Sequence, residues 1–449
     1  MSLTRNLGAF VADVAFDRLP AEAVEVARIG FADAIATMIA GAHDPALQLL
    51  RRALNPVDGN ATLYFTGAKS PAPEAAWING TAAHALDYDD VAALRGHPSA
   101  VLVPAIIAEG EALGASGRDM IAAYVAGYET WAELAWRDPG HHHRKGWHPT
   151  GIFGPIGAAA SCAVLRRLDP DQATRALALA ASNSSGVMAN FGTMTKPFHA
   201  GRSAHSGVMS ARLAQIGFTA SPDALEHPQG FLSAVSPEGA VDRESPPQGL
   251  GRDWKIVKYG IGIKKYPACY CTHRALDAML GLLARHPLKP EDIERITVSL
   301  SETHSLILRN HRPQTGLEAK FSMEFAMACA VVASRAGLAE YTDGFVQRPE
   351  VQRLIPRVRI ETNQNYDPEL SGASLWDQVR VDLVSGGTLE SEKIHRATGH
   401  AERPLNEAEL FEKFRGCLAA GKARIAPEIL FDRIRRLESG SARELTAVG

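Results

Sequence analysis

The chain has 449 residues, and its 47 Lys and Arg against 50 Asp and Glu leave a formal net charge of −3. Such a balance offers no bulk attraction to a polyanion or an anionic membrane surface, which excludes a generic nucleic-acid binder. At 46% hydrophobic and 22% charged it has an ordinary globular composition, long enough for two or three domain-sized units; whole-chain disorder, collagen and coiled coil are excluded.

The opening residues, Met1-Ser2-Leu3-Thr4-Arg5, carry no apolar leader, and no later apolar run approaches the roughly 18 residues of a membrane span. The five cysteines, Cys162, Cys269, Cys271, Cys329 and Cys417, are odd in number and mostly sit in apolar helical surroundings. They are expected as reduced thiols of a cytoplasmic protein. From Ala21 to Ala42, Val24, Ala27, Phe31, Ile35 and Ile39 recur at spacings of three and four, which stacks them on one helical face. The same reading predicts helices over 75–87, 100–113, 118–136, 154–165, 172–187 and 203–216. Many are rich in Ala and Gly, so their axes can approach closely in a compact bundle; a solenoid would need a repeat period, and there is none.

After Pro267 the pattern changes. A helix predicted over 272–284 is followed by Ile293–Ser301, where apolar and polar residues alternate as in a half-buried strand. Val358–Thr362 and Val379–Val384 repeat that alternation, the latter entering a hairpin-like turn at Ser385–Thr388, and a helix is predicted over 316–336. The fold expected is therefore mainly α: a large all-α helical bundle over 1–265, completed by C-terminal helices within 400–449, and a smaller α+β lid over 266–399. The last helices are predicted over 406–418 and 426–437.

The sequence has no GxGxxG after a strand, no P-loop, no GxSxG and no HExxH, which removes most support for nucleotide-dependent and hydrolase readings. Cys269-Tyr-Cys-Thr-His273 crowds three possible ligands into five residues without a second pair, and His141-His142-His143 reads as a polar loop, so no metal is expected. A recurring device stands out: a loop with Gly and a cationic or titratable residue, then Pro, then a helix of small residues. It occurs at Gly96-His97-Pro98, at Gly146-Trp147-His148-Pro149 and at Lys196-Pro197-Phe198-His199-Ala200-Gly201. Proline suits a helix start, and helix N-termini beside His or Lys attract anions, so three of them suggest a ligand with several carboxylates. The plainer alternative is that each Pro only opens a helix and each His bonds a local carbonyl. His84-Ala-Leu-Asp87-Tyr-Asp89-Asp90 ends a helix with three acids, of which one could act as, or orient, a base while the others cap or are solvated. Lys264-Lys265-Tyr266-Pro267 falls at the domain boundary, where ligand clefts often form.

Together these stretches resemble the MmgE/PrpD family, which includes 2-methylcitrate dehydratase, cis-aconitate decarboxylase and iminodisuccinate epimerase. The resemblance rests on residues 84–90, Gly-His-Pro-Ser at 96–99, His-Pro-Thr-Gly at 148–151, Met-Thr-Lys-Pro-Phe-His-Ala-Gly at 194–201, Lys-Lys-Tyr-Pro at 264–267, Pro404-Leu405 and Lys413-Phe414. It implies a homodimer with no metal, nucleotide or iron–sulfur cofactor, and active-site positions at Asp87, His97, His148, Lys196 and Lys264. His199, Arg202 and Cys269 are expected to bind substrate. Three positions depart from the decarboxylase branch: Val91 stands for a Thr, Cys269 for a His and Phe325 for a Tyr, which argues against cis-aconitate decarboxylation.

The family's reactions move a proton at, or expel a group next to, a carbon α to a carboxylate. Such a carbon is a poor acid, so the carboxylates need a cationic cradle and the C–H needs a placed base. Lys196, Lys264 and the helix N-termini are expected to form the cradle, His148 and His97 to donate or accept the proton, and Asp87 to orient a histidine or act as base. The expected function is a lyase, a dehydratase of a 2-methylcitrate-like di- or tricarboxylate. An epimerase of a substituted succinate, a cis-aconitate-like decarboxylase and an inactive binding relative are the alternatives.

Overall fold

The computed structural model describes residues 2–92, 95–370 and 372–448; Met1, at the head of the N-terminal stretch read above, lies outside the described residues. The fold is mainly α, as the apolar spacing predicts, and divides into two compact units. One comprises Met1–Asn190, Met194–Ile261 and Glu407–Gly449; the other Phe191–Thr193 and Gly262–Asn406.

The first unit is built from helices α1 (Leu3–Asp13), α2 (Ala21–Gly41), α3 (Pro45–Leu54), α4 (Ala72–Ala85), α5 (Ser99–Leu113), α6 (Gly117–Ala135), α7 (Pro149–Leu165), α8 (Pro170–Ala181) and α9 (Thr195–Gln215). A short antiparallel ribbon, β1 (Ala61–Thr62) with β2 (Lys69–Ser70), and the helices Glu407–Ala420 and Pro427–Arg435 belong to it too. Every residue of α5 from Ser99 to Glu111 is buried; most are apolar, and its buried Glu109 is paired with Arg166 and Arg212 and its buried Glu111 with Lys69. Glycine brings α4 and α9 together: a Cβ on Gly201 would lie 2.2 Å from Trp77 O, and one on Gly80 2.9 Å from Gly201 Cα. The two backbones touch in a way that no side chain allows.

Three helix boundaries differ from the sequence reading for identifiable reasons. Helix α9 starts at Thr195 rather than 203, because Pro197 falls in the first turn, where its missing N–H costs nothing. Lys196, His199 and Arg202 therefore ride on the helix instead of a loop before it. Helix α7 starts at Pro149 and runs through Pro155; the carbonyl of Gly151, which Pro155 cannot bond, accepts the N–H of Ser185 at 3.2 Å. Helix α8 stops at Ala181, where Asn183 turns its amide back onto the carbonyl of Leu179 and Ser184 bonds that of Ile152.

The second unit holds a four-stranded sheet in the order β4-β3-β5-β6, with β3 at Ile293–Ser301, β4 at Val358–Asn363, β5 at Gln378–Leu383 and β6 at Thr388–Glu390. Strand β4 runs parallel to β3, while β5 and β6 are antiparallel to their neighbours. Ile293, Ile296, Val298, Leu300, Val358, Val379 and Val381 are among its buried residues, and Gly386 and Gly387, at φ +86° and +92°, make the turn into β6. The helix expected over 316–336 is two, Gly316–Ala319 and Met323–Ala333; Ser322 caps the second by accepting the N–H of Phe325 at 3.2 Å. Another helix covers His273–Arg285. No described helix is long and apolar enough to cross a membrane. All five cysteines are buried and none is joined in a disulfide.

Candidate functional site

The first unit's densest cluster of titratable groups forms where α4 ends. Helix α4 stops at Ala85, and Asp87 takes a left-handed conformation, φ +51°, that turns the chain into the loop carrying Asp89 and Asp90, both wholly buried. From the last turn of α4, His84 Nδ1 lies 2.9 Å from each carboxylate oxygen of Asp89. Its Nε2 is 2.8 Å from Lys196 Nζ, which in turn donates to Asp87 Oδ1 at 2.7 Å. His97 Nδ1 is 2.8 Å from the carbonyl oxygen of Asp90 and 3.2 Å from Asp89 Oδ2. Its backbone N–H is tied to Thr150 Oγ1, in the first turn of α7, at 3.2 Å.

These contacts determine where the protons sit. A carbonyl oxygen can only accept, so His97 carries its hydrogen on Nδ1 and a lone pair on Nε2. His84 has a carboxylate at Nδ1 and an ammonium at Nε2, so it too is the Nδ1–H tautomer, accepting from Lys196. Burial pushes His84 down to about 3, with Lys196 and His97 adding to burial and Asp89 opposing it. Burial alone would raise the Asp89 carboxyl, but the electrostatic attraction of His84 and His97 and the hydrogen bonds they donate hold it well below the usual range.

On the other side of Lys196, His148 opens α7 and meets His199 of α9, with the two Nδ1 atoms 3.1 Å apart. Burial, then Lys196, His84, His199 and His97 in turn, lower His148 well below the ordinary histidine value; burial and Lys196 bring His199 to about 4. The ring centroids of His84, His97 and His148 are 4.4, 5.8 and 6.3 Å apart. His143, from the stretch read as a polar loop, is pushed down to about 3 by burial, with smaller contributions from His141, His142, His97 and Lys196.

Behind the loop, Lys413 of helix Glu407–Ala420 donates to Asp33 Oδ1 at 2.5 Å and to the Tyr88 carbonyl at 2.7 Å, and lies 4.1 Å from the centre of the Tyr88 ring. Asp90 accepts from Ser99 N–H at 3.2 Å and from Ser99 Oγ at 2.8 Å, and Ser99 Oγ is 2.7 Å from Tyr124 Oη. Burial first, then Asp33 and Asp89, keep the Asp90 carboxyl well above its usual value.

Of the eight residues singled out from sequence, Asp87, His97, His148, Lys196 and His199 belong to this cluster. The guanidinium of Arg202 is taken up by His205, Ser206 and Asn183 and lies 5.4 Å from the Trp77 ring. Lys264 and Cys269 belong to the second unit. There Lys264 is fully buried, and the Cys269 N–H donates to Lys320 O at 2.9 Å. The sequence reading missed His84 and Asp89 as individual site groups. Their spacing of five across a helix C-terminus, with two further acids alongside, is the signal that could have found them.

His84, His97 and His148, or His84, Asp87, Asp89 and His97, have ligand atoms close enough together to hold a metal ion. A cation at His84 Nε2 has to displace the Lys196 ammonium already bonded there. The donor set therefore suits an anion better: an ammonium and several imidazoles able to take protons.

Residues 5–244 match the MmgE/PrpD N-terminal domain and residues 266–428 the MmgE/PrpD C-terminal domain. The chain is similar to cis-aconitate decarboxylase of Mus musculus, 27% identical over 82% of this chain and 76% of that protein, and to its Homo sapiens counterpart, 28% identical over 77% and 72%. It is also similar to cis-aconitate decarboxylase of Aspergillus terreus, 25% identical over 92% of this chain and 88% of the relative. With both domains matched in order, the chain belongs to the MmgE/PrpD family.

Proposed function

We propose that this protein is a lyase for a small polycarboxylate, removing a proton from a carbon α to a carboxylate while a neighbouring group departs. The observation that carries the reading is the Lys196 ammonium, held between Asp87 Oδ1 and His84 Nε2 amid buried imidazoles. Asp87 orients Lys196, and Lys196 binds a substrate carboxylate as charge develops on the α-carbon. His148 takes the proton and returns it, and the lone pair on His97 Nε2 accepts a hydrogen bond from a substrate hydroxyl. Lys264 keeps the cradle role and Cys269 the substrate-binding role expected from the sequence, and the active form is a homodimer.

The first reaction is dehydration of a hydroxy tri- or dicarboxylate such as 2-methylcitrate. The C–H electron pair becomes the new double bond, the C–O bond breaks, and the hydroxide leaves as water after taking a proton. Decarboxylation is the second reading, because the similar proteins above are named cis-aconitate decarboxylases. In it a C–C bond breaks, CO2 leaves, and the carbon takes a proton. Against it stand Val91 and Cys269 where a Thr and a His are expected of that branch.

The test is a thermal-shift and turnover screen of the purified protein with 2-methylcitrate, citrate, cis-aconitate, itaconate and iminodisuccinate analogues. New near-ultraviolet absorbance from a hydroxy acid supports dehydration. CO2 release from cis-aconitate selects the second reading, and Cys269→His should then raise that rate. Racemisation without an alkene moves the reaction to epimerisation. If no acid shifts the melt, the polycarboxylate reading fails.

A further inference from the structure

We propose that His199 is a positioning residue and proton store for His148, the two imidazoles working as one unit through a single shared hydrogen. The inference deepens the function proposed above and rests on its assignment of His148 as the proton carrier. The geometry points to it directly. With the Nδ1 atoms 3.1 Å apart, one must donate and the other accept, so the two rings cannot choose their tautomers independently. His148 is 1% exposed and His199 7%, so His199 is the more open member. Both rings are held in place. The His148 backbone N–H donates to the Gly186 carbonyl at 3.0 Å, and Gly186, at φ +123°, presses on the His199 ring so closely that a Cβ there would lie 3.1 Å from His199 Cγ and Nδ1. One backbone unit thus anchors His148 and covers its partner.

The step balances without a co-reactant. In the starting state His148 carries its hydrogen on Nδ1, pointing at His199 Nδ1, and has a lone pair on Nε2. When Nε2 takes a proton from the substrate carbon, the Nδ1 hydrogen moves to His199 as a proton. His148 is left neutral with its hydrogen on Nε2, and His199 becomes the imidazolium. The positive charge thereby passes to the ring away from His84, which stacks on His148, and His97, which meets it edge-on, while Lys196 opposes it at both positions. Reversal returns the proton to the leaving hydroxide.

The test has two arms. Histidine-selective 15N NMR of the ligand-free protein should show His148 as one neutral tautomer with its hydrogen on Nδ1, and His199→Phe should release it into the other tautomer or a mixture. An unchanged His148 tautomer in that variant overturns the proposal. In turnover, His199→Phe should lower kcat about tenfold or more with KM nearly unchanged and shift the acid limb of the pH profile. His199→Gln, which accepts the hydrogen bond but cannot store the proton, should keep the His148 tautomer yet share the loss of kcat. A change in KM or melting temperature alone, with kcat and pH profile intact, means His199 is only packing and also overturns the proposal. Failure of every acid to turn over, with the NMR result as expected, would count against the proposed function and leave the pair standing.

Discussion

Each unit buries a salt bridge, and the two differ in what closes them. In the second unit Arg274 reaches Asp377 Oδ1 at 2.7 Å, and its other donors go to the Ser374 carbonyl at 2.8 Å, Ser374 Oγ at 3.3 Å and the His395 carbonyl at 3.4 Å. Apart from the carboxylate, its partners are backbone carbonyls and a hydroxyl that hold no exchangeable charge. In the first unit Lys196 meets Asp87 and His84, and His84 passes on to Asp89 and His97. The same burial of charge yields a brace where the remaining partners are carbonyls and a hydroxyl, and a candidate reaction centre where they are imidazoles.

The contrast predicts opposite consequences for removing the cation. Lys196→Met should abolish polycarboxylate turnover, by about a thousandfold, with the helical circular dichroism retained. Arg274→Met should instead lower the stability of the protein by about 3–5 kcal/mol, read as a fall in denaturation midpoint, because it strands a buried carboxylate. The double variant Arg274→Met/Asp377→Asn should recover much of that loss. If Lys196→Met retains turnover, the first pair is a brace like the second and the comparison collapses.

Lys413 sharpens the boundary between the two kinds, since it lies behind the candidate site but is closed in the brace-like manner by Asp33 and the Tyr88 carbonyl. Lys413→Met should cost about 3 kcal/mol, and Asp33→Asn/Lys413→Met distinctly less, measured by chemical denaturation. A double variant as unstable as the single one would mean that Tyr88, not the charge pair, is what Lys413 holds.

The legible part of this architecture is local. Apolar spacing foretold most of the helices, and the period-two pattern marked strand β3 although both of its faces are largely buried from Ile296 onward; the Pro-rich motifs pointed at Lys196, His97 and His148. What could not be read depends on contacts distant in sequence. His84 becomes notable only because Lys196, 112 residues later, meets its Nε2, and that meeting follows from the Gly80–Gly201 contact between α4 and α9. Helix α7 could start early because the Ser185 N–H serves a carbonyl that Pro155 cannot. The three acids of residues 87–90 looked interchangeable. Burial separates them: Asp89 is held low by two histidines, and Asp90 is held high between other acids.

The last expected effect comes from protons. His84 and His199 are depressed to about 3 and about 4, so the folded protein binds fewer protons there than the unfolded chain. Their contribution to stability is complete above about pH 6.5 and is lost as pH falls towards those values, at about 1.4 kcal/mol per pH unit for each group. Glu129, raised by burial to about 7, acts in the opposite sense: its contribution is complete below about pH 4.5 and is lost as pH rises through 7. His141, His142, His143 and His205 are likewise depressed by burial to about 3 or 4, while Asp377, raised to about 6, joins Glu129 on the opposing side, so the melting temperature should decline on acidification below about pH 6.5. A bound polycarboxylate would favour the protonated imidazoles, so its stabilising shift should grow as pH is lowered from about 7.5 to 6. If the ligand-induced shift is flat with pH, the imidazoles around Lys196 do not answer to the ligand's charge, and the first cluster is as closed as the second.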